Sequence, residues 1–207
     1  MAAANPEDVN VPWTIAQRLY LGELVASPPK YDNADAAAEF SRTTIKLIEA
    51  GKTPAAENFN KGATLGWLNQ ALAIVESQAG NTKAALEHYE ASTALAPDDR
   101  AIAGRNLYAV YVIRSGGYNE AVKALAAAQE AGDPASPSPE LEAARTQMET
   151  EADALIEAAA RFVAFADAKS LSKDSRDRVY DVAKKVYVSR HPDDAEAAGL
   201  QTVIDGM

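Results

Sequence analysis

Apolar residues recur along this chain at intervals of three and four, the spacing of one face of an α-helix. Trp13, Ile15, Leu19, Tyr20 and Leu24 predict a first helix that starts near Pro12 and ends before Ser27-Pro28-Pro29. Phe40, Thr44, Leu47 and Ile48 predict a second from about Ala34 to Ala50, with Gly51 as its stop. Thr53-Pro54 reads as a cap followed by a first-turn proline, ahead of a third helix carrying Leu65, Leu68, Leu72 and Val75. Its end near Gly80 opens the stretch GNTKAALEHYEASTALAPDD, a fourth helix with Ala85, Tyr89, Ser92 and Leu95 on one face. Asp98 and Asp99 are placed to cap a fifth, with Ala103, Leu107, Val110 and Tyr111, which Gly116-Gly117 is expected to break. A sixth follows from about Tyr118 to Ala131. GDPASPSP, residues 132–139, reads as a linker. Ser138-Pro139 then opens a long helix with Leu141, Met148, Leu155, Ala159, Phe162 and Ala166. Another starts at Ser172 or Asp174, and a short last helix follows His191-Pro192-Asp193-Asp194. The pattern therefore predicts an all-α fold of about nine helices, with no strand.

Two of these hairpins match each other. Aligning Gly80 with Gly116, an offset of 36 residues, sets Ala85 on Ala121, Tyr89 on Leu125 and Ser92 on Ala128, and a proline ends both stretches. Small residues at such positions let two helices approach, large ones fill the gap to the next pair, and proline stops the hairpin. The pattern resembles the second helix of a tetratricopeptide repeat. Leu68, Ala71, Leu72 and Val75 fall where that family has first-helix core positions, as do Ala103, Leu107 and Val110. The usual first-helix tryptophan is displaced, Trp67 lying one position early, and each repeat holds one or two extra residues before the glycine. The resemblance is good over about 65–134 and weaker over 12–50 and 161–194, where Tyr180 and Tyr187 replace small residues. It implies antiparallel helix hairpins stacked as a right-handed α-solenoid. Residues 1–11 are then an N-terminal extension and 12–134 the repeats, clearest at 65–99 and 100–134. Residues 135–207 become a degenerate repeat or a cap. The bland reading is an irregular helical bundle with two similar alanine-rich hairpins.

Tetratricopeptide proteins usually act as non-catalytic binding scaffolds that hold a peptide in the groove lined by their first helices. Carried over by position, the resemblance implies groove candidates Asn69, Ala73 and Glu76 from one repeat, and Gly104, Tyr108 and Tyr111 from the next. Tyr108 and Tyr111 lead, because tyrosine offers a large contact area at little entropy loss; equally, they can be buried against a neighbouring helix. The Lys, Asn and Arg clamp by which some members grip a carboxylate has a counterpart here only in Asn69, Ala73 and Gly104 being non-polar. The implied partner is an apolar or basic segment of a protein or peptide. The alternative is a structural subunit docked into a larger assembly through its convex face or its acidic C-terminal helices.

Composition narrows the classes. Alanine dominates the 47% hydrophobic fraction and aromatics are only 7%, which favours helices over strands. A net charge of −10, with no cluster of Lys and Arg, argues against nucleic acid and anionic membrane as partners. The absence of cysteine removes disulfides and thiolate chemistry. No apolar run reaches the length of a transmembrane helix. The start, Met1-Ala-Ala-Ala-Asn-Pro, looks like the tail of a trimmed signal peptide and points to a periplasmic or secreted protein; a cytoplasmic start can look the same.

Candidate chemistry is thin. His88 lacks good ligands at i+3 and i+4, and His191 sits at a helix end, so both read as structural. The run Glu140, Glu142, Glu149, Glu151, Asp153 and Glu157 offers a cation or a basic partner a carboxylate face, but reads first as a solvated helix surface. No phosphate loop, nucleophile elbow or calcium loop is present. No catalytic residue, cofactor or metal is expected.

Overall fold

The computed structural model describes residues 7–131 and 138–207. All regular structure among them is helical. Helix α1 (Asn10–Leu19) runs into a π-helical turn (Tyr20–Leu24), followed by α2 (Ala34–Glu49), α3 (Lys61–Gln78) and α4 (Thr82–Leu95). Then come α5 (Arg100–Ala131), α6 (Pro139–Ala168), α7 (Lys173–Arg190) and α8 (Ala198–Asp205). The chain divides into two compact units, Met1–Asn106 and Leu107–Met207.

Local chemistry sets most helix ends. Gly51 and Gly80 adopt φ of +88° and +78°, where a side chain is strained. Both close the same motif: Gly80 N–H donates to Ser77 and Asn81 N–H to Glu76, as Gly51 and Lys52 do to Ile48 and Leu47. Asp99 accepts from the amides of Ala101 and Ile102, and Ser138 from that of Leu141, ahead of Pro139. Thr53-Pro54 does not begin a helix. The cap of α3 is Asn60, whose Oδ1 accepts from Ala63 N–H at 2.9 Å, and the buried Pro54 lies in the connection before it.

The break expected at Gly116-Gly117 is absent: α5 runs unbroken for 32 residues. The described residues thus hold eight α-helices where about nine were expected, and 100–131 is not a hairpin. Neither glycine takes the positive φ that ends α2 and α3. Tyr118, one residue on, packs against the core of the second unit, and that tertiary contact outweighs the roughly 1 kcal/mol by which each glycine disfavours a helix. The expected linker falls at residues 132–137, outside the described residues, with only its Ser138-Pro139 end in view.

In the first unit, α3 is the central helix, packed against both α2 and α4. Leu68, Ala71, Leu72 and Val75 are buried on it, as the spacing predicts, and so are Ala85, Tyr89 and Ser92 on α4. The α3–α4 contact is close. A Cβ on Gly66 would stand 2.9 Å from Ala96 Cβ, so a side chain there forces the helices apart.

A buried chain of side-chain hydrogen bonds crosses this unit. Tyr20 Oη donates to Gln70 Oε1. Gln70 Nε2 donates to Asn106 Oδ1 at 2.5 Å and to the Ile102 carbonyl at 3.1 Å. Asn106 Nδ2 donates to Ser92 Oγ, which donates to the Gly66 carbonyl, each at 2.7 Å. Burial pushes the Tyr20 pKa up to about 12, so the phenol remains a donor.

In the second unit, Leu155, Ala159, Phe162 and Ala166 of α6 form the core with Val179, Ala183 and Val186 of α7 and Leu200 and Ile204 of α8. Helix α8 is seated by Asp194, whose carboxylate accepts from the amides of Ala198 and Gly199 at 3.0 and 2.7 Å. These bonds hold its carboxyl below the usual aspartate value. Gly199 is tightly packed there: a Cβ would lie 2.0 Å from Tyr187 Oη, so a larger residue must displace that side chain.

Helices α5 and α6 are antiparallel neighbours in this unit. The Tyr108 ring meets Phe162 near one end, and Gly117 faces the Glu151 carboxylate nearer the other. Beyond Gly117, burial nearly vanishes: of the described residues in 118–151, Ala121 alone is buried.

Candidate functional site

The four leading sequence candidates form two separate groups. Asn69 and Glu76 lie on α3 in the first unit, where both are engaged by neighbouring helices. Asn69 Nδ2 donates to the Leu65 carbonyl at 2.9 Å, leaving Oδ1 to face His88 Nδ1 at 3.1 Å. Glu76 Oε1 takes Arg42 Nη2 of α2 at 2.6 Å, and its Oε2 accepts from Asn81 Nδ2 at 2.7 Å. The Glu76 side chain is only 15% exposed against 55% for Arg42, so the carboxylate is the inner partner. Burial lowers the His88 pKa, opposed by the nearby Glu76. The imidazole is therefore neutral near pH 7, with Nδ1 as the donor to Asn69. This cluster joins α2, α3 and α4, and its Asn69 and Glu76 atoms are already satisfied. Ala73 and Gly104, the other two groove candidates, are buried.

Tyr108 and Tyr111 lie on α5 in the second unit, with ring centroids 5.9 Å apart. Tyr111 is half-buried against the α6–α7 core, and burial raises its pKa. Tyr108 is 45% exposed, yet its ring meets Phe162 at a tilt of 58° with centroids 5.5 Å apart. Val112, one turn on, is 48% exposed. The result is an aromatic and aliphatic surface whose base is fixed by a buried ring. Such an anchor loses little rotamer freedom when it is covered. Val112 and Arg42 were missed in the sequence reading. Val112 sits beside the predicted Tyr111 at a position that a helical wheel could have flagged. Arg42 lies 34 residues from Glu76 in another helix, with no local signal of the pairing.

The other candidate side chains are engaged by their neighbours. Arg190 bridges Glu149 at 3.3 Å and Asp153 at 3.2 Å, and Gln147 holds Glu151 at 3.0 Å. No group of three or more His, Asp or Glu placed to hold a metal occurs among the described residues. His191 stacks on Tyr187, centroids 4.4 Å apart. A hollow of about 270 Å³ at the α6–α7 turn contains Arg176, whose guanidinium is already held by Asp167 through two N–H groups at 3.0 Å. Among the described residues, no helix is long and apolar enough to cross a membrane. No protein-family model, no curated protein and no solved structure matches this chain.

Proposed function

We propose that this protein is a non-catalytic binding scaffold of helices, its α3–α4 hairpin similar to a tetratricopeptide repeat, that receives an apolar or basic segment of another protein. The observation that carries the reading is the surface of Tyr108 and Val112 on α5, exposed while its base is held on Phe162. An exposed tyrosine that is already ordered is the kind of residue that dominates binding energy at protein interfaces. The close α3–α4 hairpin, with Gly66 at its contact and Ala85, Tyr89 and Ser92 buried, supports the repeat-like part of the proposal. The polar cluster at Asn69 and Glu76 then serves to fix α2, α3 and α4 to one another.

The test is a pull-down from native extract with wild type and with the double variant Tyr108→Ala, Val112→Ser, both checked by circular dichroism. The proposal expects a protein held by wild type to be lost from the folded variant. Equal capture by both removes this surface from the proposal.

A further inference from the structure

We infer that the outer parts of α5 and α6, residues 118–131 and 138–151, form a two-helix arm that docks a basic amphipathic helix from a partner protein. This goes beyond the Tyr108 surface and does not depend on it.

The arm is under-packed for its length. Fourteen helical residues on α5 extend about 21 Å past Gly117, and Ala121 alone is buried among the described residues of both halves of the arm. The less exposed positions recur at intervals of three and four, Ala121, Leu125 and Ala128 on α5 and Leu141, Ala144 and Met148 on α6, and apart from Ala121 each is only half-buried. Val122, next to Ala121, is 39% exposed. Helix ends with so narrow an apolar stripe gain little from packing, which supplies most helical stability in proteins. A third helix laid along these positions would cover the leucines and Met148, and a flexible methionine adapts readily to such a partner.

Charge decides which helix fits. The described arm carries Glu120, Glu130, Glu140, Glu142, Glu149 and Glu151 against Lys123 and Arg145 alone. Lys123 is taken by Glu120 at 2.8 Å, while Glu130 and Glu142 are exposed and make no ion pair among the described residues. A second arm of the same sequence would bring glutamates against glutamates, and an anionic membrane or nucleic acid would be repelled likewise. A helix with lysine or arginine flanking an apolar stripe is complementary on both counts. Its length would be about 14 residues or more, to match the arm.

The experiment uses the full chain and a fluorescein-labelled synthetic peptide of about 18 residues, with Leu and Ala on one helical face and Lys on the other. A second peptide carries Glu at every Lys position. Anisotropy titrations at about 50 mM and about 500 mM salt separate charge from apolar contact. The proposal expects the Lys peptide to bind at least about tenfold more tightly than the Glu peptide at low salt. It expects Glu130→Lys, Glu140→Lys, Glu142→Lys together to lower that affinity about tenfold or more, with unchanged circular dichroism. The matched triple Glu39→Lys, Glu57→Lys, Glu87→Lys, exposed in the first unit, should change it less than about twofold, and Tyr108→Ala, Val112→Ser should leave it unaltered. Equal weakening by the two charge triples would show attraction to net charge alone and overturn the proposal. So would equal binding of the two peptides, or sedimentation showing that the arm pairs with a second copy.

Discussion

Gln70 and Asn106 meet side chain to side chain inside the first unit, 36 residues apart in sequence and 2.5 Å apart in space. That interval also relates Ala85 to Ala121, so the two amides stand at corresponding places on α3 and α5. Both are essentially inaccessible, at 1% and 0% exposure. A buried amide without partners is costly, so these residues stabilise the fold only as a pair.

Asn106→Leu should therefore lower stability by about 2–4 kcal/mol, since it strips Gln70 of an acceptor and Ser92 of a donor together. Urea unfolding followed by circular dichroism measures the loss. Ser92→Ala should cost less, about 1–2 kcal/mol. A double variant whose loss equals the sum of the two would show that they do not act as one network.

Gly116→Ala should stabilise the protein by up to about 1 kcal/mol, because α5 is helical there and a Cβ meets nothing within 4 Å. Gly80→Ala should destabilise by about 1 kcal/mol, because its φ is +78°. Thermal melts of the two variants should move in opposite directions. A fall in both would mean that Gly116 makes a turn in solution.

Gly199→Ala should loosen α8 by about 1–3 kcal/mol, through the clash with Tyr187 Oη. Limited proteolysis near residues 195–200 reads the change directly. Adding Tyr187→Phe should recover part of it, as the atom in closest conflict is then gone.

His88 should make stability fall with acid. Its pKa is lowered on folding, so the unfolded chain binds its proton first. The contribution is fully present above the unfolded value near 6.5 and is lost as pH drops through the lower folded value. His88→Gln should flatten that part of the profile, on the acid side of 6.5. An unchanged slope would place the acid sensitivity elsewhere.

What was legible in the sequence was mostly local. Asp99, Asp194, Ser138, Gly51 and Gly80 do their work within a few residues of themselves, so the punctuation alone revealed them. Burial of Leu68, Leu72, Ala85 and Tyr89 followed from spacing. The continuity of α5 did not, because a glycine pair is a turn or a weak stretch of helix depending on what lies beside it. Here Tyr118 packs into a core built mainly from α6 and α7, and no window around residue 116 contains them. The site suffered similarly. Asn69 and Glu76 occupy positions that the repeat pattern makes available, but Arg42 and His88 reach them from other helices.

The buried chain from Tyr20 to Gly66 can be read in one direction only. A backbone carbonyl can do nothing but accept, so Ser92 must point its proton at Gly66 and turn its lone pairs toward Asn106. Asn106 must answer with its NH₂, which leaves its oxygen for Gln70, and Gln70 is oriented in turn. Tyr20, at the far end, inherits the role of donor from a carbonyl on another helix. Neither amide can flip alone, and replacing Gln70 with Glu would place an acceptor against the oxygen of Asn106. A single peptide group thus sets the polarity of four side chains carried by four different helical segments.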